Sequence, residues 1–167
     1  LARVAADGCG VAEGTMIATE RGEVPAEKLR PGDRVVTREA GLQPVTRIET
    51  LDLGWRQLGL LPLLRPVHIA AGAFGPSSPV RNVVVAGALR LLPPGRGESG
   101  VVARALVGDA GVAEADVTEV RYVRITLPRC GAVLTNGLWL DGACPVDPSA
   151  STDPTASVAA EVEPQHV

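Results

Sequence analysis

The chain has 167 residues, of which 46% are hydrophobic and only 2% aromatic, with a formal net charge of −3 and a pI near 5.4. That length suits one domain with a single core, which must be filled by Val, Leu, Ile and Ala. The acidic balance and the shortage of rings argue against a nucleic-acid surface, which needs a basic patch and stacking platforms. No apolar run approaches the length that crosses a bilayer, so no membrane partner is expected.

In chain order, Leu1 to Gly8 reads as an unstructured lead-in. Gly14 to Arg38 (GTMIATERGEVPAEKLRPGDRVVTR) then reads as strand, turn, short amphipathic piece, turn, strand. Met16 to Thr19 is a β-rich run closed by the polar turn Glu20-Arg21-Gly22, and Val24, Ala26 and Leu29 are the inward candidates of the next piece. Pro31-Gly32-Asp33 is a turn: proline presets its second position and glycine takes the positive φ. Asp33 is explained by that turn alone. Arg34 to Arg38 resumes as a strand carrying two stiff β-branched residues, Val35 and Val36.

Leu42 to Leu53 reads as one half-buried strand, Leu58 to Leu64 as a loop with a hydrophobic anchor, and Arg65 to Ala71 as a strand. Val80 to Leu92 (VRNVVVAGALRLL) reads as a single buried strand with Gly87 as a kink or bulge. Pro93 to Gly100 is a flexible connection, Val101 to Val107 a strand or helical turn, and Asp109 to Asp116 a polar loop. Val117 to Leu127 and Cys130 to Ala143 are the last strands, the second folded at Asn136-Gly137, with Thr135 opposite Leu138. From Pro145 onward the sequence is rich in Pro, Ser, Ala and Thr, the composition of a disordered tail. Many short strands punctuated by Gly and Pro make the chain mostly β. The expected division is 1–8 lead-in, 9–145 domain and 146–167 tail.

Cys9, Cys130 and Cys144 are an odd number at wide spacing, without a C-x-x-C pair or a Cys/His cluster, so neither a metal site nor a disulfide framework is expected. Extending the hairpin ladder puts Cys130 opposite Ala143, with Cys144 facing the other side. The cysteines therefore read as free buried thiols. Nothing suggests a cofactor. No signal peptide opens the chain, and it starts with leucine rather than methionine, which leaves the compartment open.

The order GT-x-IAT-x-x-GE-x-P-x-E-x-LRPGDRV-x-TR resembles the opening of a Hint (hedgehog/intein) domain, in the free-standing form common in bacteria. Further similar stretches are GLQPVTRIE (Gly41 to Glu49), RPVHIAAGAFGP (Arg65 to Pro76), VVARALV (Val101 to Val107), VRYVRITL (Val120 to Leu127) and VLTNGLWLDG (Val133 to Gly142). They follow the family's order and cover roughly Cys9 to Pro145. The resemblance implies a horseshoe-like β fold and autocatalytic cleavage of the domain's own flanking polypeptide. A cysteine attacks the preceding carbonyl, a histidine protonates the departing nitrogen, donors hold the oxyanion, and the thioester is then resolved.

Position by position, the implied machinery is incomplete. The family's cysteine stands four residues before the glycine of the Gly-Thr pair, and here that place is Gly10, with Cys9 one residue further back. Leu89 stands where the family's middle-strand histidine is expected, and Arg124 or Cys130 where a later histidine is. Candidate catalytic residues are thus Cys9 as nucleophile, Thr15 as oxyanion donor and His68, the one histidine inside the domain, as substitute proton donor. Each has a plainer reading: a thiol of ordinary pKa, a threonine opening a strand, and a strand residue with one face at the surface. Two functions follow. One is a Hint-like domain without its chemistry, acting as a folding, linking or interaction module. The other is a residual self-cleaving domain in which Cys9 attacks the Gly8 carbonyl and water resolves the thioester. The missing histidine favours the first, and the absence of a terminal His-Asn pair argues against splicing.

Overall fold

A computed structural model describes residues 10–141; the lead-in, Cys9, Cys144 and the tail lie outside the described residues. The short β1 (Val11–Ala12) is followed by β2 (Met16–Thr19) and β3 (Gly22–Pro25), a hairpin turning at Glu20 and Arg21. A single 3₁₀ turn (Ala26–Lys28) leads through Pro31-Gly32-Asp33 to β4 (Arg34–Thr37). Gly32 adopts φ +97°, and Asp33 fixes the turn by accepting the Arg30 N–H at 2.9 Å. Ala26 and Leu29 point inward as their spacing predicts, 0% and 4% exposed.

Next come β5 (Gly41–Pro44), β6 (Arg47–Leu53), helix α1 (Trp55–Leu60), β7 (Pro66–Ile69), β8 (Val83–Ala86), β9 (Arg90–Leu92), β10 (Val101–Val102), β11 (Val112–Glu114) and β12 (Val120–Thr126). The hairpin β13 (Val133–Thr135) and β14 (Leu138–Leu140) closes the described chain. It turns at Asn136-Gly137, both at positive φ (48° and 79°), and pairs Thr135 with Leu138 as the sequence predicts.

The strands form two antiparallel sheets. The first has the order β11-β7-β8-β1-β12-β6; the second runs β10-β9-β14-β13-β2-β4-β5, with β3 added on β2. Val11, Val67, Val85 and Val123 of the first sheet meet Ile17, Val35, Leu91, Val133 and Leu140 of the second in one buried cluster. The register explains this selection: Val11 lies opposite both Val123 and Val85, and Val85 opposite Val67, so one row of valines crosses four strands. The other face of the first sheet carries a smaller cluster of Leu53, Leu58, Leu64, Ala86 and Tyr122. Tyr122 satisfies its buried hydroxyl by donating to the Leu64 carbonyl at 2.6 Å.

Four expectations are corrected. Leu42 to Leu53 is two strands, because Val45 turns inward and its N–H bonds to the Asp33 carbonyl. The expected loop Leu58 to Leu64 instead ends helix α1 and continues into a 3₁₀ turn (Pro62–Leu64); only Leu58 of the helix's six residues is buried, too little to imprint a helical period. Val80 to Leu92 is two strands in different sheets, since the chain crosses between sheets at Gly87-Ala88-Leu89. A Cβ on Gly87 would lie 3.1 and 3.2 Å from the Arg65 and Leu63 carbonyl oxygens, so the glycine serves a close crossing instead of a bulge. Asp109 to Asp116 contains β11, which pairs with β7.

The cysteine expectation is also corrected, because Cys130 is exposed and disulfide-bonded. It is the one cysteine among the described residues, so its partner lies outside them. The parity argument against a bond assumed a ladder running out to residue 130. That ladder ends at Val133 and Leu140. Beyond it, side chains of the β4–β5 region hold the backbone: Glu39 accepts the Ala132 N–H at 2.9 Å and Gln43 the Arg129 N–H at 3.2 Å.

Candidate functional site

The positions that the sequence motifs assign to nucleophile and proton donors converge on one place. Gly10, Leu89 and Arg124 line a single cavity of about 40 Å³, together with Val11, Ile17, Val123, Val133, Leu140 and the polar Thr135 and Asp141. Both sheets contribute. Gly10 enters β1 in the first sheet, where its carbonyl accepts the Ala86 N–H at 3.1 Å. Leu89 sits at the crossover between sheets, its N–H on Ala86 and its carbonyl accepting from Ala103 at 2.8 Å. Asp141 follows β14 and donates its N–H to the Arg90 carbonyl.

Gly10 is confined on both sides. Its φ is +134°, and a Cβ built there would lie 2.8 Å from the Cβ of Tyr122 and 3.2 Å from its Cγ. A cysteine at this place therefore needs Tyr122 to move, and Tyr122 is anchored in the second cluster. Leu89 is 4% exposed and belongs to the main apolar cluster. A void this small holds about one water, far below the several hundred Å³ of a small-molecule pocket.

Of the named candidates, Cys9 lies outside the described residues. Thr15 is buried at the corner between β1 and β2, and its hydroxyl donates to the Ala12 carbonyl at 2.6 Å. Its own carbonyl accepts the Ala26 N–H, so the residue ties the first strands together. His68 lies opposite Val84 and Ala113, whereas the adjacent Val67 lies opposite Val85 in the valine row. Alternation along the strand puts His68 on the face opposite Val11 and Val123, away from the cavity they line. Of the two places open to the later histidine, Arg124 lines the cavity and Cys130 does not. Thr135 and Asp141 had no sequence signal of their own, although both flank the readable Asn-Gly hairpin.

The strongest electrostatic pairing lies elsewhere. On the surface Arg121 holds Asp52 through two hydrogen bonds and Glu13 at 3.4 Å. The Arg121 guanidinium pulls the Asp52 carboxyl below its usual range, and Asp52 raises Arg121 in turn. Among the described residues no cluster of three or more His, Cys, Asp or Glu could hold a metal ion, and no helix is long and apolar enough to cross a membrane.

Comparison with known proteins identifies the fold. The split intein AceL NrdHF class 3, in a splice-inactive variant, superposes with a TM-score of 0.53 at 12% identity, covering 80% of this chain and 97% of that one. A DnaB intein from Synechocystis sp. PCC 6803 superposes at 0.52 with 11% identity, over 80% and 99% of the two chains. The MchDnaB-1 intein gives 0.50 with 15% identity, over 80% and 98%. At such identities the likeness is one of fold. No curated protein sequence matches the chain. Residues 9–147 match the Hint domain family over most of the chain, and the protein belongs to that family, whose fold is the self-processing scaffold of inteins.

Proposed function

We propose that this chain is a Hint domain that no longer cleaves its flanking polypeptide and acts as a folding, linking or interaction module. The observation that carries the reading is Leu89: the place expected to supply a proton is a buried aliphatic side chain on the cavity wall facing Gly10. The acyl shift needs a thiolate to attack and an acid to protonate the departing amide nitrogen. Loss of general acid–base help alone slows such a step about 10²–10⁴-fold. Gly10 supports the same reading, since the nucleophile's place has no room for a side chain. Arg124 is no substitute for a histidine, because a guanidinium offers donors but no acceptor nitrogen to take a proton and return it.

The second reading, residual cleavage at Gly8–Cys9, draws on the fact that Cys9 immediately precedes a cavity-lining residue. One experiment separates the two. A tag is fused ahead of Leu1, the protein is incubated with and without a strong thiol, and intact mass is followed for days beside a Cys9→Ala control. The expected outcome is an unbroken chain in every sample. Thiol-accelerated release of the fragment ending at Gly8, absent from the control, overturns the proposal.

A further inference from the structure

We propose that helix α1 and the turn after it form a membrane-contacting knob, which seats Trp55, Leu60 and Leu63 among the headgroups of an anionic lipid surface. Those three side chains are 67%, 80% and 56% exposed. They are three of the seven exposed large hydrophobic residues of the described chain and fall within one stretch, residues 55–63, so they form a patch and not a scatter. The knob is fixed from beneath. Leu58 and Leu64 are buried with Leu53 and Tyr122, on the face of the first sheet away from the cavity. At about 100° per residue, burial of Leu58 turns Trp55, Arg56, Gly59 and Leu60 onto one outward arc. Gln57 falls on the other flank, where its Oε1 accepts the Gly54 N–H at 3.0 Å. No residue of the outward arc is acidic.

Charge selects the occupant. From Leu53 to Gly97 the sequence holds five arginines and no aspartate or glutamate, although the chain as a whole is acidic. Three of the guanidinium groups around the knob are anchored to it. Arg56 lies over the Trp55 ring, 5.1 Å from its centroid. Arg65 donates through Nε to the Leu58 carbonyl at 3.0 Å, and Arg104 through Nη1 to the Pro62 carbonyl. Arg65 has Glu114 at 3.8 Å, whereas Arg56 and Arg104 form no ion pair among the described residues. Asp52, the acid nearest in sequence, is held by Arg121 in a neighbouring hollow that Glu13 and Glu119 also line.

A lipid surface suits this set of groups. Leucines enter the acyl boundary, tryptophan prefers the interface, and arginine stems lie along the apolar layer while their guanidinium groups meet phosphates. A stable protein interface takes about 20–30 residues a side; a leaflet needs only the few side chains that dip into it. The lack of a spanning helix bears on crossing a bilayer, not on resting against one. This inference is independent of whether the domain cleaves.

The test sediments the full chain with vesicles of phosphatidylcholine containing about a quarter phosphatidylglycerol, and with phosphatidylcholine vesicles alone. Binding to the anionic vesicles at low salt is expected, falling on the order of five-fold for each arginine engaged when the anionic lipid is omitted. In Trp139→Phe, which leaves Trp55 as the one tryptophan, emission should shift to the blue on binding and be quenched by bromine-labelled lipid. Leu60→Ser combined with Leu63→Ser, both at exposed positions, should keep the unfolding midpoint and weaken binding about ten-fold or more. Arg56→Gln should weaken it about five-fold at low salt and less as salt rises. No binding to anionic vesicles, equal binding to both vesicle types, or equal binding by the double leucine variant overturns the proposal. So does self-association of the unaltered chain that the leucine changes abolish, since a second copy then covers the knob.

Discussion

At position 10 two constraints act together, a φ of +134° and a Tyr122 Cβ only 2.8 Å from where a side chain would begin. Restoring the family's cysteine by Gly10→Cys is therefore expected to destabilise the domain by about 2–4 kcal/mol, the combined effect of overpacking and an unfavourable φ. Denaturant unfolding measures this, and an unchanged midpoint would show that Tyr122 yields easily. Tyr122 itself sets a pH limit. Its burial raises the phenol pKa above the ordinary value of 10.0, so the folded state holds a proton that the unfolded state releases. The stabilisation is complete below pH 10 and is lost as pH rises toward the folded value, at up to about 1.4 kcal/mol per pH unit. Tyr122→Phe should flatten that alkaline slope between pH 10 and 11. At neutral pH it should cost about 1–2 kcal/mol, because the Leu64 carbonyl loses its donor. A slope that persists in the variant would assign the alkaline limb to another group.

Among the elements, the β13–β14 hairpin is held more tightly than its three-residue strands suggest. Asn136 accepts the Met16 N–H through Oδ1, its carbonyl accepts the Val80 N–H at 2.7 Å, and a Cβ on Gly137 would lie 2.3 Å from Val80 Cγ2. Gly137→Ala should therefore cost about 2–4 kcal/mol through positive φ and a clash within one turn, read as a lowered thermal midpoint. The dipeptide Asn136-Gly137 announced this turn because the signal is local: two adjacent residues that tolerate positive φ. Pro31-Gly32-Asp33 was legible for the same reason. The break at Gly87 was not, because its cause is the approach of the Leu63 and Arg65 carbonyls from another part of the chain. Apart from Gly87 and Arg90, residues 83–92 are one unbroken apolar run, so nothing in their composition says that 83–86 and 90–92 belong to different sheets. The three cavity positions Gly10, Leu89 and Arg124 were readable as motif places. Their convergence depends on sheet order, which no local pattern encodes. The Cys130 bond is not legible in the sequence, because strand alternation does not extend past Val133 and Leu140, where the ladder ends.

For the molecule as a whole, β1 is a two-residue strand from the beginning of the domain that sits inside the first sheet. Val11 is paired with Val85 on one side and Val123 on the other. The corresponding rows in the second sheet join Ile17 to Thr135 and Thr37 to Val133, so the start and end of the domain interlock in both sheets. Loop-closure entropy must be overcome before any of these distant pairings stabilises the chain. Refolding is expected in the millisecond-to-second range of non-local β proteins, and stopped-flow Trp fluorescence checks it; microsecond refolding would contradict the pairing order. On the ribosome the arrangement imposes a schedule. The first sheet can hold β1 only against β8 until β12 has been made, and the second stays open until β13 emerges. The early strands therefore wait, exposed and unpaired on one side, for almost the entire synthesis of the domain. A stall before residue 120 should leave a nascent chain that is protease-sensitive throughout, whereas release past residue 141 should confer protection on both sheets at once.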